Sequence, residues 1–133
     1  MWRLALHRSI VFVLGLAGCS SNATVPVGSP CAMDDTCSTG LCLRAIDGSG
    51  QPTSWTNGYC SGNCANTPCP DGSCLAMADG LSYCVSNCAA DGDCRTGYVC
   101  AKTVSACLPD CRKGWSCGSA LTCNATNGNC AAP

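Results

Sequence analysis

The sequence predicts a small disulfide-rich protein: a tandem array of four 4-Cys modules made of short β-hairpins and loops, with little regular secondary structure. Three observations predict it. Sixteen of the seventeen cysteines lie between Cys31 and Cys130 and fall in order into four groups of four. Three residues separate each group from the next: Ser61-Gly62-Asn63, Val85-Ser86-Asn87 and Leu108-Pro109-Asp110. The chain also lacks the side chains of a burial-driven core. From Cys19 onward it has five Val, one Ile, six Leu and no Phe, roughly half the proportion that usually marks a chain able to fold by burial alone.

The groups define module one, residues 31–60 (Cys31, Cys37, Cys42, Cys60), and module two, residues 64–84 (Cys64, Cys69, Cys74, Cys84). Module three is residues 88–107 (Cys88, Cys94, Cys100, Cys107), and module four is residues 111–130 (Cys111, Cys117, Cys123, Cys130). Each holds an even count, as a self-contained two-disulfide unit requires. The last three repeat at a period of roughly 23 residues, which marks an array. Four cysteines allow three pairings, and spacing does not choose among them.

The bridges must supply what the core lacks. One bridge closing a loop of ~15 residues is worth about 3 kcal/mol by chain-entropy reckoning. The richest apolar set is in module one: Met33, Leu41, Leu43, Ile46, Trp55 and Tyr59. Reduction is expected to unfold the protein, so its compartment must be oxidising.

Within the modules, Leu41-Cys42-Leu43, Tyr98-Val99-Cys100-Ala101 and Leu121-Thr122-Cys123 read as short strands, each half of a hairpin. Thr53 to Tyr59 reads as a further hairpin turning at Asn57-Gly58. Gly40, Gly72 and Gly97 each stand three residues after a second cysteine, where a positive φ would reverse the chain between bridged positions. Module four departs from this, with Gly118 directly after Cys117.

Composition excludes several activities. The chain contains no Glu, and its one His is His7. With residues 1–18 read as a removed targeting segment, the commonest general bases are missing from the mature chain, and neither Ser-His-Asp nor Cys-His arrangements can be built. The expectation is no enzyme and no cofactor. From Cys19 onward five cations (Arg44, Arg95, Lys102, Arg112, Lys113) face eight Asp, a net of -3, and no basic stripe suits nucleic acid. No two cysteines are separated by only two residues, so the usual zinc knuckle is absent. Asp34-Asp35 and the Asp91, Asp93 pair offer oxygen ligands of the type calcium takes, or else solvated loops with Asx turns. Trp55, Tyr59, Tyr83, Tyr98 and Trp115 either cover cystines or anchor contacts, and Arg112, Lys113 and Trp115 share one loop as a candidate contact patch.

Residues 1–18 read as a targeting segment. Arg3, His7 and Arg8 give a positive start, and Ile10 to Leu16 form an apolar run too short to span a membrane. The run ends in Leu16-Ala17-Gly18-Cys19, which resembles the lipobox of bacterial lipoproteins. The resemblance implies cleavage before Cys19, lipidation of Cys19 with diacylglycerol and a palmitate-type acyl chain, and, with Ser20 following, sorting to the outer membrane. Cys19 is also the odd cysteine left after the four groups. The alternative is a secreted protein cut after Ala23. Residues 19–30 then read as a lipidated N-terminus and flexible tether, rich in Ser, Asn, Thr, Gly and Pro. Asn22-Ala23-Thr24 and Asn124-Ala125-Thr126 fit the glycosylation sequon, read as chance matches in a bacterial lipoprotein.

The Cys-x5-Cys-x-x-Gly-x-x-Cys pattern of module three, shortened in module one, resembles cysteine-rich repeats of secreted bacterial proteins and of the N-terminal region of Dickkopf proteins. The likeness to such small modules implies interlaced pairing, first to third and second to fourth. The expected function is a lipid-anchored, disulfide-stabilised envelope protein. It acts as a binding or structural module, held to the membrane through Cys19, with a protein or glycan ligand and no nucleic acid. A secreted inhibitor or effector and a thiol- or metal-sequestering protein are the alternatives.

Overall fold

The structure, a computed structural model, describes residues 23–77, 79–114, 117 and 121–133. The lipobox, Trp115 and Gly118 lie outside the described residues.

Among the described residues, eight short strands pair as four antiparallel hairpins. They are β1 (Leu41–Leu43) with β2 (Tyr59–Ser61), and β3 (Ser73–Ala76) with β4 (Ser82–Val85). Then come β5 (Tyr98–Ala101) with β6 (Ala106–Pro109), and β7 (Thr122–Cys123) with β8 (Cys130–Ala131). Single 3₁₀ turns occupy Asp34–Thr36, Asp91–Asp93 and Cys111–Lys113. The protein is thus a small disulfide-rich array of four modules. The three strands read from sequence are all present, each paired in a hairpin.

In every hairpin the third and fourth cysteines sit directly opposite each other: Cys42 and Cys60, Cys74 and Cys84, Cys100 and Cys107, Cys123 and Cys130. Neither bonds to its neighbour. The third reaches back to the first and the fourth to the second, giving Cys31–Cys42, Cys37–Cys60, Cys64–Cys74 and Cys69–Cys84. The remaining bridges are Cys88–Cys100, Cys94–Cys107, Cys111–Cys123 and Cys117–Cys130. Two-stranded hairpins this short are marginal in water; here each is held at its root by two cross-links.

A second repeated device ties the modules to the residues that precede them. The N–H of the fourth cysteine donates to the carbonyl two residues before the first: Cys60 to Ser29 at 2.8 Å, Cys84 to Gly62 at 2.9 Å and Cys107 to Ser86 at 2.9 Å. In return the first cysteine's N–H donates to the carbonyl two residues before the fourth: Cys64 to Ser82, Cys88 to Ser105 and Cys111 to Gly128, each at 2.9 to 3.0 Å. The first residue of each separator belongs to the preceding hairpin, at Ser61, Val85 and Leu108, while Gly62 and Ser86 serve the module that follows. In module one the second bond slips by one residue, from Cys31 to Asn57.

Four expectations change. The tether is not flexible throughout residues 19–30. Val25 bridges to Cys37, Val27 is buried at 6% exposure, and Ser29 serves Cys60 as the separators serve later modules. Gly72 is not among the positive-φ glycines, although Gly40 and Gly97 are, at +75° and +91°. At Gly72 the constraint is space, because a Cβ would lie 2.2 Å from Val85 O. Asn57-Gly58 does not turn a hairpin. Both residues have positive φ, 59° and 67°, and they lead into β2, where a Gly58 Cβ would meet Cys31 O at 1.9 Å. The reversal in this stretch comes earlier, at Asp47, whose carboxylate accepts from the N–H of Ser49 and of Gln51.

Little of the module-one apolar set is buried: Met33 and Ile46 are largely exposed, at 58% and 57%, while Tyr59 is 1% exposed. The fourth change is the core itself. Bridges stay inside modules, but the main apolar cluster does not. It joins Val27 and Tyr59 of the first unit, Cys64, Cys84 and Val85 of the second, and Tyr98, Ala106 and Cys107 of the third. Modules with so few apolar residues bury them by pooling them.

Candidate functional site

The pooled core has a polar centre where module three meets module one. The Tyr59 ring lies between Trp55 and Tyr98, with centroids 5.3 and 5.2 Å away. Its hydroxyl oxygen accepts the Ser86 N–H at 2.8 Å and lies 3.0 Å from Ser86 Oγ, which ties it to the separator ahead of module three. Arg95 closes the junction. Its guanidinium donates to the carbonyl oxygens of Gly28 and Thr56, both at 2.9 Å, and to that of Gly58. Two module-one carbonyls and one from the segment leading into it thus converge on one planar donor fork, the geometry for which Arg is suited and Lys is not. Burial pushes the phenols of Tyr59 and Tyr98 up from their ordinary value, and the nearby Arg95 charge opposes this in both. These aromatics hold modules together instead of lying free on the surface.

The acidic loops have a similar internal role. Asp34 Oδ1 accepts the Cys42 N–H at 2.8 Å, and Asp91 Oδ1 accepts the Cys100 N–H at 2.8 Å. The same carboxylate thus caps the third cysteine in modules one and three. Asp93 accepts from the N–H groups of Ala89 and Ala90, which hold its carboxyl below the usual range. Arg44 approaches Asp34 to 4.0 Å across exposed surface, a contact of little energetic weight.

The module-four contact patch is changed. Arg112 is engaged in a two-pronged pair with Asp110, Nε to Oδ1 at 2.9 Å and Nη2 to Oδ2 at 2.8 Å. The hydrogen bonds from Arg112 hold the Asp110 carboxyl below its ordinary value. Lys113 is exposed, and Trp115 lies outside the described residues.

Three sulfurs in each module lie within 4.8 Å of one another, as in Cys31, Cys37 and Cys42. They belong to two disulfides side by side, and a disulfide sulfur offers no thiolate to a metal. Sequence reasoning singled out neither the Tyr59–Arg95 junction nor a groove of about 390 Å³ on modules two to four, bordered by Leu75, Met77, Val104, Leu108 and Leu121. Arg95 directly follows the second cysteine of its module, and nothing in its local sequence marks its distant carbonyl partners.

Fold and cystine geometry define a class, the small disulfide-rich modular proteins, and eight bridges place it in an oxidising, non-cytoplasmic setting. Comparison of the chain with known proteins finds no matching family model, no matching curated protein and no matching solved structure.

Proposed function

We propose that the protein is a bacterial envelope lipoprotein, anchored in the outer membrane through acylated Cys19, which displays its cystine modules as a non-catalytic binding or structural element. The observation that carries this reading is the odd cysteine. All sixteen cysteines from Cys31 on are consumed in bridges within their groups, and the one left over stands in the lipobox-like Leu16-Ala17-Gly18-Cys19. A non-catalytic role is supported by the absence of Glu from the chain and of His after His7. It is supported further by the engagement of Asp34, Asp91 and Asp110 in structural hydrogen bonds.

The test is an intact mass of the native protein before and after thiol alkylation, beside a Cys19→Ser variant. The expected result is a lipid increment on the N-terminal peptide, no alkylated cysteine, and no processed membrane form of the variant. A mature end at Thr24 without lipid, or a processed and membrane-bound Cys19→Ser protein, overturns the anchor.

A further inference from the structure

The chain connecting Cys19 to the folded protein is shorter than its composition implies. Val25 is stitched to module one on both sides: its N–H donates to Thr36 O, and its carbonyl accepts from Ser38 N–H, each at 2.9 Å. Gly28 N–H donates to Cys60 O at 2.9 Å. From Cys19 to Ala23 is four residues, at most about 14 Å when fully extended. The headgroup layer of one leaflet is itself about 5–8 Å thick.

The surface beside this exit mixes polar and apolar groups and becomes mainly apolar further along module one. Ala23, Met33, Asp35 and Thr36 border one shallow depression. Thr36 also borders the next, with Ala32, Arg44, Ala45 and Ile46. Met33 and Ile46, at 58% and 57%, are the most exposed of the large apolar side chains among the described residues. Both lie on the module nearest the anchor: Met33 shares its depression with Ala23, and Ile46 borders the next one.

We propose that this face of module one, centred on Met33 and Ile46, rests in the headgroup zone of the bilayer that holds Cys19. The proposal rests on the lipoprotein reading above. A short leash keeps the face at high effective concentration over the lipid, so a weak contact is enough to hold it there. Met33 and Ile46 enter the boundary region, and the long Arg44 stem lets its charge reach the headgroups. Asp34 and Asp35 offset Arg44 on this face, so contact does not depend on anionic lipid and persists at raised salt.

Methionine oxidation reads the contact directly. After Met1, the chain has only Met33 and Met77; Met77 packs against the pooled core in module two and serves as the internal control. The lipidated protein is reconstituted in neutral phosphatidylethanolamine-containing vesicles and treated with a charged oxidant excluded from lipid. Sulfoxide formation at both methionines is followed by peptide mass. The comparison is the unlipidated chain beginning at Ser20, mixed with the same vesicles.

The expected result is a several-fold slower oxidation of Met33 in the anchored protein alone, with Met77 unchanged. Equal Met33 rates with lipid present on Cys19 overturn the proposal and leave the anchor standing. Protection in native membranes but not in pure lipid assigns the face to a protein and also overturns it. Absence of lipid on Cys19 overturns the anchor, and the proposal with it.

Discussion

The guanidinium carbon of Arg95 lies 4.2 Å from the centroid of the Tyr98 ring, and the Arg95 Nη2 donates to the Tyr98 hydroxyl at 2.9 Å. Both residues belong to module three, yet together they form the surface on which module one docks. Tyr98 supplies the platform and fixes the plane of the fork, and the remaining donors meet the carbonyls of Gly28, Thr56 and Gly58.

Replacing Arg95 by Lys keeps the charge and loses the fork. At least two carbonyls are left without this donor, and the expected loss is about 1–3 kcal/mol. Denaturation of the oxidised protein measures it. Hydrogen exchange should rise at the Gly28 N–H, which donates to the Cys60 carbonyl beside the junction, and at the Cys60 N–H, which donates to the Ser29 carbonyl; an unchanged midpoint would remove Arg95 as a clasp.

Tyr59→Phe keeps the ring and removes the acceptor for the Ser86 N–H. The expected cost is about 1–2 kcal/mol, with every disulfide retained. Peptide mapping checks the bridges, and a denaturation curve reads the cost.

All three tyrosines have phenols raised above the ordinary value. Burial is the leading cause in each, with Asp79 adding to it at Tyr83. The folded state favours the neutral phenol, so this contribution is fully present below the unfolded value near 10. It is lost as pH rises through the raised folded values. Phenolate absorbance should therefore appear at higher pH in the native protein than in urea, and native stability should fall above about pH 10. Coincident titrations in the two states would contradict the buried junction.

Two glycine substitutions separate strain from crowding. At Gly40, with φ +75° and open space around a Cβ, alanine should cost about 1 kcal/mol. At Gly72, with no positive φ but Val85 O in the way, alanine should cost more and lower the yield of the native disulfide isomer. Refolding yields of the two variants, run side by side, decide this.

A module-three peptide that begins at Ser86 should oxidise to Cys88–Cys100 with Cys94–Cys107 in larger share than one that begins at Cys88. Only the longer peptide has the Ser86 carbonyl that receives the Cys107 N–H. Equal isomer distributions, read by peptide mass mapping, would count against a role for the separators in folding.

These experiments bear on features of unequal legibility. The strands around Cys42, Cys100 and Cys123 could be read because a cysteine flanked by β-formers between turn residues is a local signal. Gly40 and Gly97 were equally local. Gly72 misled because a glycine marks either unusual φ or close approach, and sequence does not say which. The tether misled because Val25 and Val27 sit among Ser, Thr, Gly and Pro, while Val25 bridges to Cys37, 12 residues away, and Val27 joins a cluster whose next member in sequence, Tyr59, lies 32 residues away. The junction escaped for the same reason, since Arg95 meets its carbonyls across 37 to 67 residues.

The backbone bonds that unite each module with its separator also set an order of assembly. The carbonyl that receives the fourth cysteine's N–H always lies upstream, at Ser29, Gly62 or Ser86. A chain delivered to an oxidising space from its N-terminus therefore carries each acceptor before the cysteine that needs it. Each of the first three hairpins can close soon after its own last cysteine arrives. Tyr59 is the exception: its ring is covered only when Tyr98 and Cys107 follow. The 47 residues between Tyr59 and Cys107 must follow before that aromatic face is covered, and completion of the third unit withdraws it.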